Sequence, residues 1–224
     1  VGEPAPITIS AIVVDESAPM AGDGSIDISV SGGTACETSD SVICASHNSL
    51  YTGYARGYWF QAQSSFTITG LRGSAGTGQT GTMQSVGIME MTSPPAYTLT
   101  LGATGNIGTQ EWTSCMQPAG GAWVNIPGGF QVTQGNYYVV LGYVHDASGA
   151  PFSCQNSYGT GGSTMNLGGV ATTLNRAGLQ GHLGDAANAN CVMSNNVWGT
   201  SSGSIGRIDV KTGVLGAQAY SFAW

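Results

Sequence analysis

Short β-rich runs separated by clusters of glycine, serine, proline and asparagine recur along this chain, the pattern of an all-β sandwich or barrel. The runs are ITISAIVV (7–14), SIDISV (25–30), GYWFQA (57–62), FTITGLR (66–72), QSVGIMEM (84–91) and YTLTL (97–101). AWVNI (122–126), NYYVVLGYV (136–144), VATTLNR (170–176), SIGRIDV (204–210) and AQAYSFAW (217–224) follow. In FTITGLR the alternation places Phe66, Ile68 and Gly70 on one side and Thr67, Thr69 and Leu71 on the other, as in a half-buried strand. NYYVVLGYV is apolar on both sides. It is therefore expected to be central, or to have its outer face covered by the chain's own loops or by a neighbouring molecule. The reading is an antiparallel β-sandwich of jelly-roll type with an N-terminal strand extension. Residues 1–35 form the extension with an acidic turn, and residues 36–224 form the sandwich.

Composition sharpens this picture. The 224 residues include 36 glycines, and 8% are charged, against about 25% in an average protein. Glutamate, lysine and arginine, the strong charged helix formers, are scarce, which argues against a helical fold. At a net charge of −7 with five Lys+Arg, the chain lacks the basic stripe that nucleic acid or an anionic membrane surface requires. YYVVLGYV (137–144) is the longest apolar candidate, far short of a membrane-spanning helix.

The cysteines are Cys36, Cys44, Cys115, Cys154 and Cys191, dispersed among Ser/Gly-rich segments with no CxxC pair. Such dispersal, with few lysines, suits an oxidising, extracellular compartment, and the opening VGEPAP reads as a mature end left by processing. Cys36 and Cys44 bracket CETSDSVIC, a loop short enough to close as a local disulfide. For the others, Cys115–Cys154 and Cys154–Cys191 are both open. An odd count leaves one thiol over, most simply as a small buried hydrophobe.

Two stretches carry resemblances. GDGSIDISVSGGT (22–34) resembles the opening of a repeat in gliding-motility adhesins and surface proteins of the Bacteroidetes type. ARGYWFQAQSSFTITGLR (55–72), NSYGTGGSTMNLGGVATTLNRAGLQ (156–180) and VWGTSSGSIGRIDV (197–210) together resemble an uncharacterised β-sandwich domain of secreted bacterial proteins. The resemblance implies a cell-surface, adhesive or structural setting. It supplies no catalytic residues.

Motifs with possible chemistry stay close to chance. GTGQTG (76–81) fits a dinucleotide fingerprint, but TMQSVGIMEM after it reads as strand, so no helix N-terminus would face a pyrophosphate. GTSSG (199–203) surrounds Ser201 with the nucleophile-elbow letters, and a triad with His182 and Asp185 can be written. The elbow needs a strand-to-helix turn that the pattern lacks. His145 ends the most apolar strand, where a polar residue is expected simply to meet water. Asp15, Asp23 and Asp27, with Glu16, make a carboxylate cluster that a structural calcium ion would suit, although solvated turn aspartates explain it equally. Trp112 and Trp198 sit in loop-like contexts and are the candidates for a sugar-stacking platform, with Tyr51, Tyr54 and Tyr58 as further aromatics.

The leading expectation is a non-catalytic subunit of an extracellular fibre, sheath or surface layer whose partners are copies of itself. Assembly would proceed by strand addition through Ile7, Ile9, Ala11 and Val13, unless that strand pairs within its own chain. The alternative is a carbohydrate-binding or adhesin module recognising extracellular glycans. A secreted hydrolase ranks third.

Overall fold

β-Branched and aromatic residues fit a pleated, half-buried surface, and the chain uses them in strands throughout; no helix occurs among the described residues. The computed structural model describes residues 8–19, 21–31, 40–96, 107–147, 154–161, 163–183, 191–193 and 197–213. The segments YTLTL and AQAYSFAW, together with Ile7, Cys36 and Asp185, lie outside them. The fold is all-β, with antiparallel sheets arranged as a sandwich.

The chain divides into two units. The first contains a hairpin of β1 (Thr8–Val14) and β2 (Ser25–Ser31), in register from Thr8↔Ser31 to Val14↔Ser25. The second, Ser39–Leu215, carries the sandwich. Its smaller sheet orders β3 (Asp40–Val42), β17 (Ile208–Gly213), β6 (Phe66–Gly73) and β9 (Val124–Val132). Its larger sheet is built on β10 (Tyr137–His145), flanked by β5 (Arg56–Gln61) and β7 (Met83–Met91). β14 (Asn175–Leu179) and β15 (Val197–Thr200) extend the β5 side, and β8 (Ile107–Pro118) extends the β7 side. β11 (Gln155–Gly159), β4 (Ser49–Thr52) and β16 (Ile205–Gly206) complete it.

β10 is central, as its two apolar faces require. Tyr138 and Val140 face inward with Tyr58, Phe60, Val86 and Ile88, meeting Ile68, Phe130, Ile208 and Val210 of the smaller sheet. The Tyr58 hydroxyl donates to the Ile208 carbonyl at 2.9 Å, so this fully buried phenol is satisfied and the two sheets are tied together. On the outer face Val139, Leu141 and Tyr143 pack with Met89, Ala177 and Leu179 under Leu183 and Met193. The chain's own loop residues therefore cover that face.

Strict alternation fails in one place. Leu71 is fully buried in the same core as Phe66 and Ile68, although alternation assigns it to the opposite side. The register slips between Ile68 and Gly70 against β9 and between Lys211 and Thr212 against β17. A bulge inserts one residue and turns every later side chain to the other face, so the strand begins on one parity and ends on the other. VATTLNR likewise divides. β13 (Val170–Thr173) folds back on β12 (Thr164–Leu167), while β14 joins the large sheet. The turn between β12 and β13 is Gly168-Gly169, both at positive φ (59° and 83°), the backbone a two-residue hairpin demands.

Candidate functional site

The first candidate is the hairpin. In its turn the Asp23 carboxylate accepts hydrogen bonds from the backbone N–H and hydroxyl of Ser17, and Glu16 accepts from the Gly22 N–H. The Ser17 bonds hold the Asp23 carboxyl below its usual range. Asp23 is thus employed as a turn lock, the ordinary role of aspartate in such a loop. Asp15 precedes this turn, and the backbone of Asp27 stands opposite Ile12. No group of three metal-ligating side chains occurs among the described residues.

The strand expected to add to a neighbour is instead paired along one edge with β2. Among the described residues, neither strand has a second neighbour. Val13 stands opposite Ile26 on one face of the ribbon, and each is 60% exposed. Ile12 (67%) and Val14 (53%) open to solvent on the other face. A two-stranded ribbon is marginal by itself, and apolar side chains on both faces give water no preferred side to occupy.

The second candidate arises where the large sheet forks. β10 pairs with β5 as far as Gly142↔Arg56, and then the same edge passes to β11 through Val144↔Gln155. The gap leaves backbone groups of β5 without a ladder partner. The buried Asn156 fills it, accepting from the Arg56 N–H at 3.2 Å and donating to the Tyr54 carbonyl at 2.9 Å. One amide side chain therefore substitutes for two ladder bonds.

Arg56 begins β5 at this fork and is 6% exposed. Its guanidinium donates to the carbonyls of Ala55 and Leu179 and to the Tyr51 hydroxyl, all neutral acceptors. Its charge also lies over the rings of Tyr51 (4.7 Å) and Trp198 (5.2 Å). On the other side of Trp198 stands the half-buried Arg176, 5.4 Å from that ring and 5.8 Å from Tyr158. Tyr158 in turn stacks on Tyr51 at 5.4 Å with rings 3° from parallel. Burial pushes the Tyr158 hydroxyl up, and the Arg56 and Arg176 cations partly offset that. The ion pair among the described residues is Arg72–Asp209; no carboxylate there lies within 4 Å of Arg56 or Arg176.

This cluster unites Trp198, Tyr51 and Tyr54 from the sequence reading with two arginines that the reading passed over. Their signal was weak, because Arg56 and Arg176 are far apart in the chain and resemble scattered surface charges. Trp198 itself is corrected. It lies on β15, 6% exposed, with guanidinium groups against its ring, and is not a loop platform. Trp112 is on β8 opposite Ile88, half-buried against the core between the sheets. Tyr54, 44% exposed, is the open aromatic of the cluster, 5.8 Å from the Arg56 charge and 5.5 Å from the His182 ring.

The catalytic motifs dissolve into structure. Ser201 lies in an exposed bend whose hydrogen bonds run between Thr200 and Ser202, while His182 Nδ1 contacts Cys154 Sγ at 3.3 Å. His145 does meet a serine: its Nε2 is 3.1 Å from Ser85 Oγ, and its Nδ1 is 2.8 Å from the Asp146 carbonyl. Both residues are fully buried, and Ser85 Oγ also accepts the Met116 N–H. That bond spans an irregularity where β8 slips against β7 between Gln84 and Val86. The pair clamps a bulge and offers no path to a substrate. GTGQTG runs directly into β7, so no helix follows it.

The cysteines pair differently from the expectation. The disulfide is Cys115–Cys191, 76 residues apart in sequence, anchoring 191–193 to β8. Cys44 is a free thiol, so the expected bridge to Cys36, itself outside the described residues, is not formed. Cys44 packs into the core between the sheets, where burial pushes its pKa to about 11, and it behaves as a small buried hydrophobe.

No protein-family model matches the chain, and neither curated proteins nor solved structures show a significant similarity to it.

Proposed function

We propose that this chain is a non-catalytic structural or adhesive β-sandwich, a subunit of an extracellular fibre, sheath or surface layer that assembles with copies of itself. The observation that carries the reading is the N-terminal ribbon, with both outer edges lacking strand partners among the described residues and Ile12, Val13, Val14 and Ile26 more than half exposed. Unpaired edges template strand addition, and exposed apolar side chains reward it. The strand that adds is then one half of a preformed hairpin, which lowers the entropy lost on docking. Sparse charge, 8% of residues, limits repulsion between copies.

The deciding experiment is electron microscopy of the purified chain over rising concentration, beside a variant with Ile12, Val13 and Ile26 changed to serine. Ordered polymers are expected from the first and not from the second. A chain that stays monomeric at every concentration, or a variant that polymerises as readily, would refute the reading.

A further inference from the structure

We propose that the Cys115–Cys191 disulfide is a redox-controlled clasp. It holds Met193 as a plug in a socket on the outer face of the large sheet, and its reduction by a dithiol withdraws the plug while the core between the sheets stays folded. The inference is independent of assembly through the ribbon.

Three neighbouring strands build the socket. Leu141 on β10 stands opposite Gly87 on β7, and Gly87 stands opposite Thr113 on β8. Leu141 belongs to the outer cluster, as does Met89 two residues along β7, so this row faces outward with a glycine at its middle. The missing side chain leaves a hole in an apolar face, and Met193 fills it. A Cβ at Gly87 would stand 3.2 Å from the Met193 sulfur and 2.7 Å from the Thr113 methyl, and Met193 is 3% exposed. Methionine, unbranched and polarisable, suits an irregular gap of this kind.

The crosslink is the strongest hold on the plug. Residues 191–193 belong to no strand. Two hydrogen bonds join them to β8: the Met193 N–H donates to the exposed Glu111 at 2.5 Å, and the Thr113 hydroxyl donates to the Cys191 carbonyl. Cys191 (φ 44°) and Met116 (φ 56°), which follows Cys115, are the non-glycine residues at positive φ among the described residues. Such conformations are unfavourable and persist where the surroundings impose them. Both adjoin the disulfide, so breaking it lets the backbone relax away from the socket.

Both cysteines are half-buried, within reach of a reductant. One thiolate of the dithiol attacks either sulfur, the S–S bond breaks, and the first cysteine leaves as a thiolate that takes up a proton. The second thiol of the reductant then closes on the mixed disulfide and releases the other cysteine. Two electrons and two protons pass to the protein, and the dithiol becomes a cyclic disulfide.

The molecule carries its own controls. Met165 and Cys44 lie in the core between the sheets and are as buried as Met193, at 3% each. The test is a pulse of hydrogen peroxide on the full chain, with the disulfide intact and after dithiothreitol, alkylation of the freed thiols and removal of the reductant. Mass spectrometry reads each methionine and cysteine. Sulfoxide formation at Met193 and at Met89 beneath it should rise about tenfold or more on reduction, with Met165 unchanged and Cys44 unalkylated. Reoxidation in place of alkylation should restore protection, and Cys115→Ser/Cys191→Ser without reductant should match the reduced chain. The reduced parent decides the matter should that variant fail to fold. Cysteines that resist dithiothreitol in the folded chain, a Met193 that stays protected once they are alkylated, protection not regained on reoxidation, or Met165 and Cys44 opening in step with Met193 would each overturn the proposal.

Discussion

Replacing the Val13–Ile26 cross-strand pair with serines should separate assembly from folding. Each residue is 60% exposed in the hairpin, so each contributes little to the folded chain and much of its surface remains to be buried by a partner. Complete burial of a valine or isoleucine is worth about 1.5–3 kcal/mol. The part still open corresponds to about 1–2 kcal/mol per residue on the same scale. Losing both should cost about 2–4 kcal/mol of association free energy, or about 30- to 1,000-fold in dissociation constant. Sedimentation velocity of V13S/I26S and of the unmodified chain, over about a hundredfold range of concentration, reads this directly. The melting temperature of the sandwich should stay unchanged, because neither side chain belongs to its cores. Association of the variant within about threefold of the parent, a change below 1 kcal/mol, would show that the ribbon faces are not the contact.

Other outcomes follow from the interior. Asn156→Leu removes the acceptor of the Arg56 N–H and the donor to the Tyr54 carbonyl and should destabilise by about 3 kcal/mol, measured by urea denaturation; a loss under about 1 kcal/mol would mean the fork is satisfied otherwise. Desolvation lowers the pKa of the buried His145 from its ordinary 6.5. Above that value both states are neutral and nothing is lost. Below it the unfolded chain binds a proton that the folded ring resists, so stability falls as pH drops from about 6.5 towards 5. Thermal melts of the parent and of His145→Gln should diverge in that window, and parallel pH profiles would refute the assignment. Cys115→Ser/Cys191→Ser opens a 76-residue loop and should lower stability by about 4 kcal/mol in the loop-entropy view, read from chemical denaturation in parallel with the parent chain.

The strands of the core were legible because burial on one or both faces writes itself into local letters. Runs such as SIDISV, GYWFQA and NYYVVLGYV correspond to β2, β5 and β10 within a residue or so at each end. The double-sided apolarity of NYYVVLGYV also announced its central place. β8 and β11 escaped notice because their letters, around QEWTSC and QNSYG, are polar and small, and neighbouring strands hold them more than their own periodicity does. The Gly-Gly turn between β12 and β13 was a readable signal that went unused.

What the sequence by itself determined was the all-β class, the turn-rich connections and the two-sided burial of the NYYVVLGYV strand, since these depend on alternation and composition within a few residues. Only the tertiary structure decided which cysteines meet, which parity Leu71 takes after its bulge, and that Trp198 is enclosed by Arg56 and Arg176. Those outcomes depend on register and on sheet curvature at the fork, quantities set by contacts between segments as distant as Arg56 and Leu179, which no local pattern encodes.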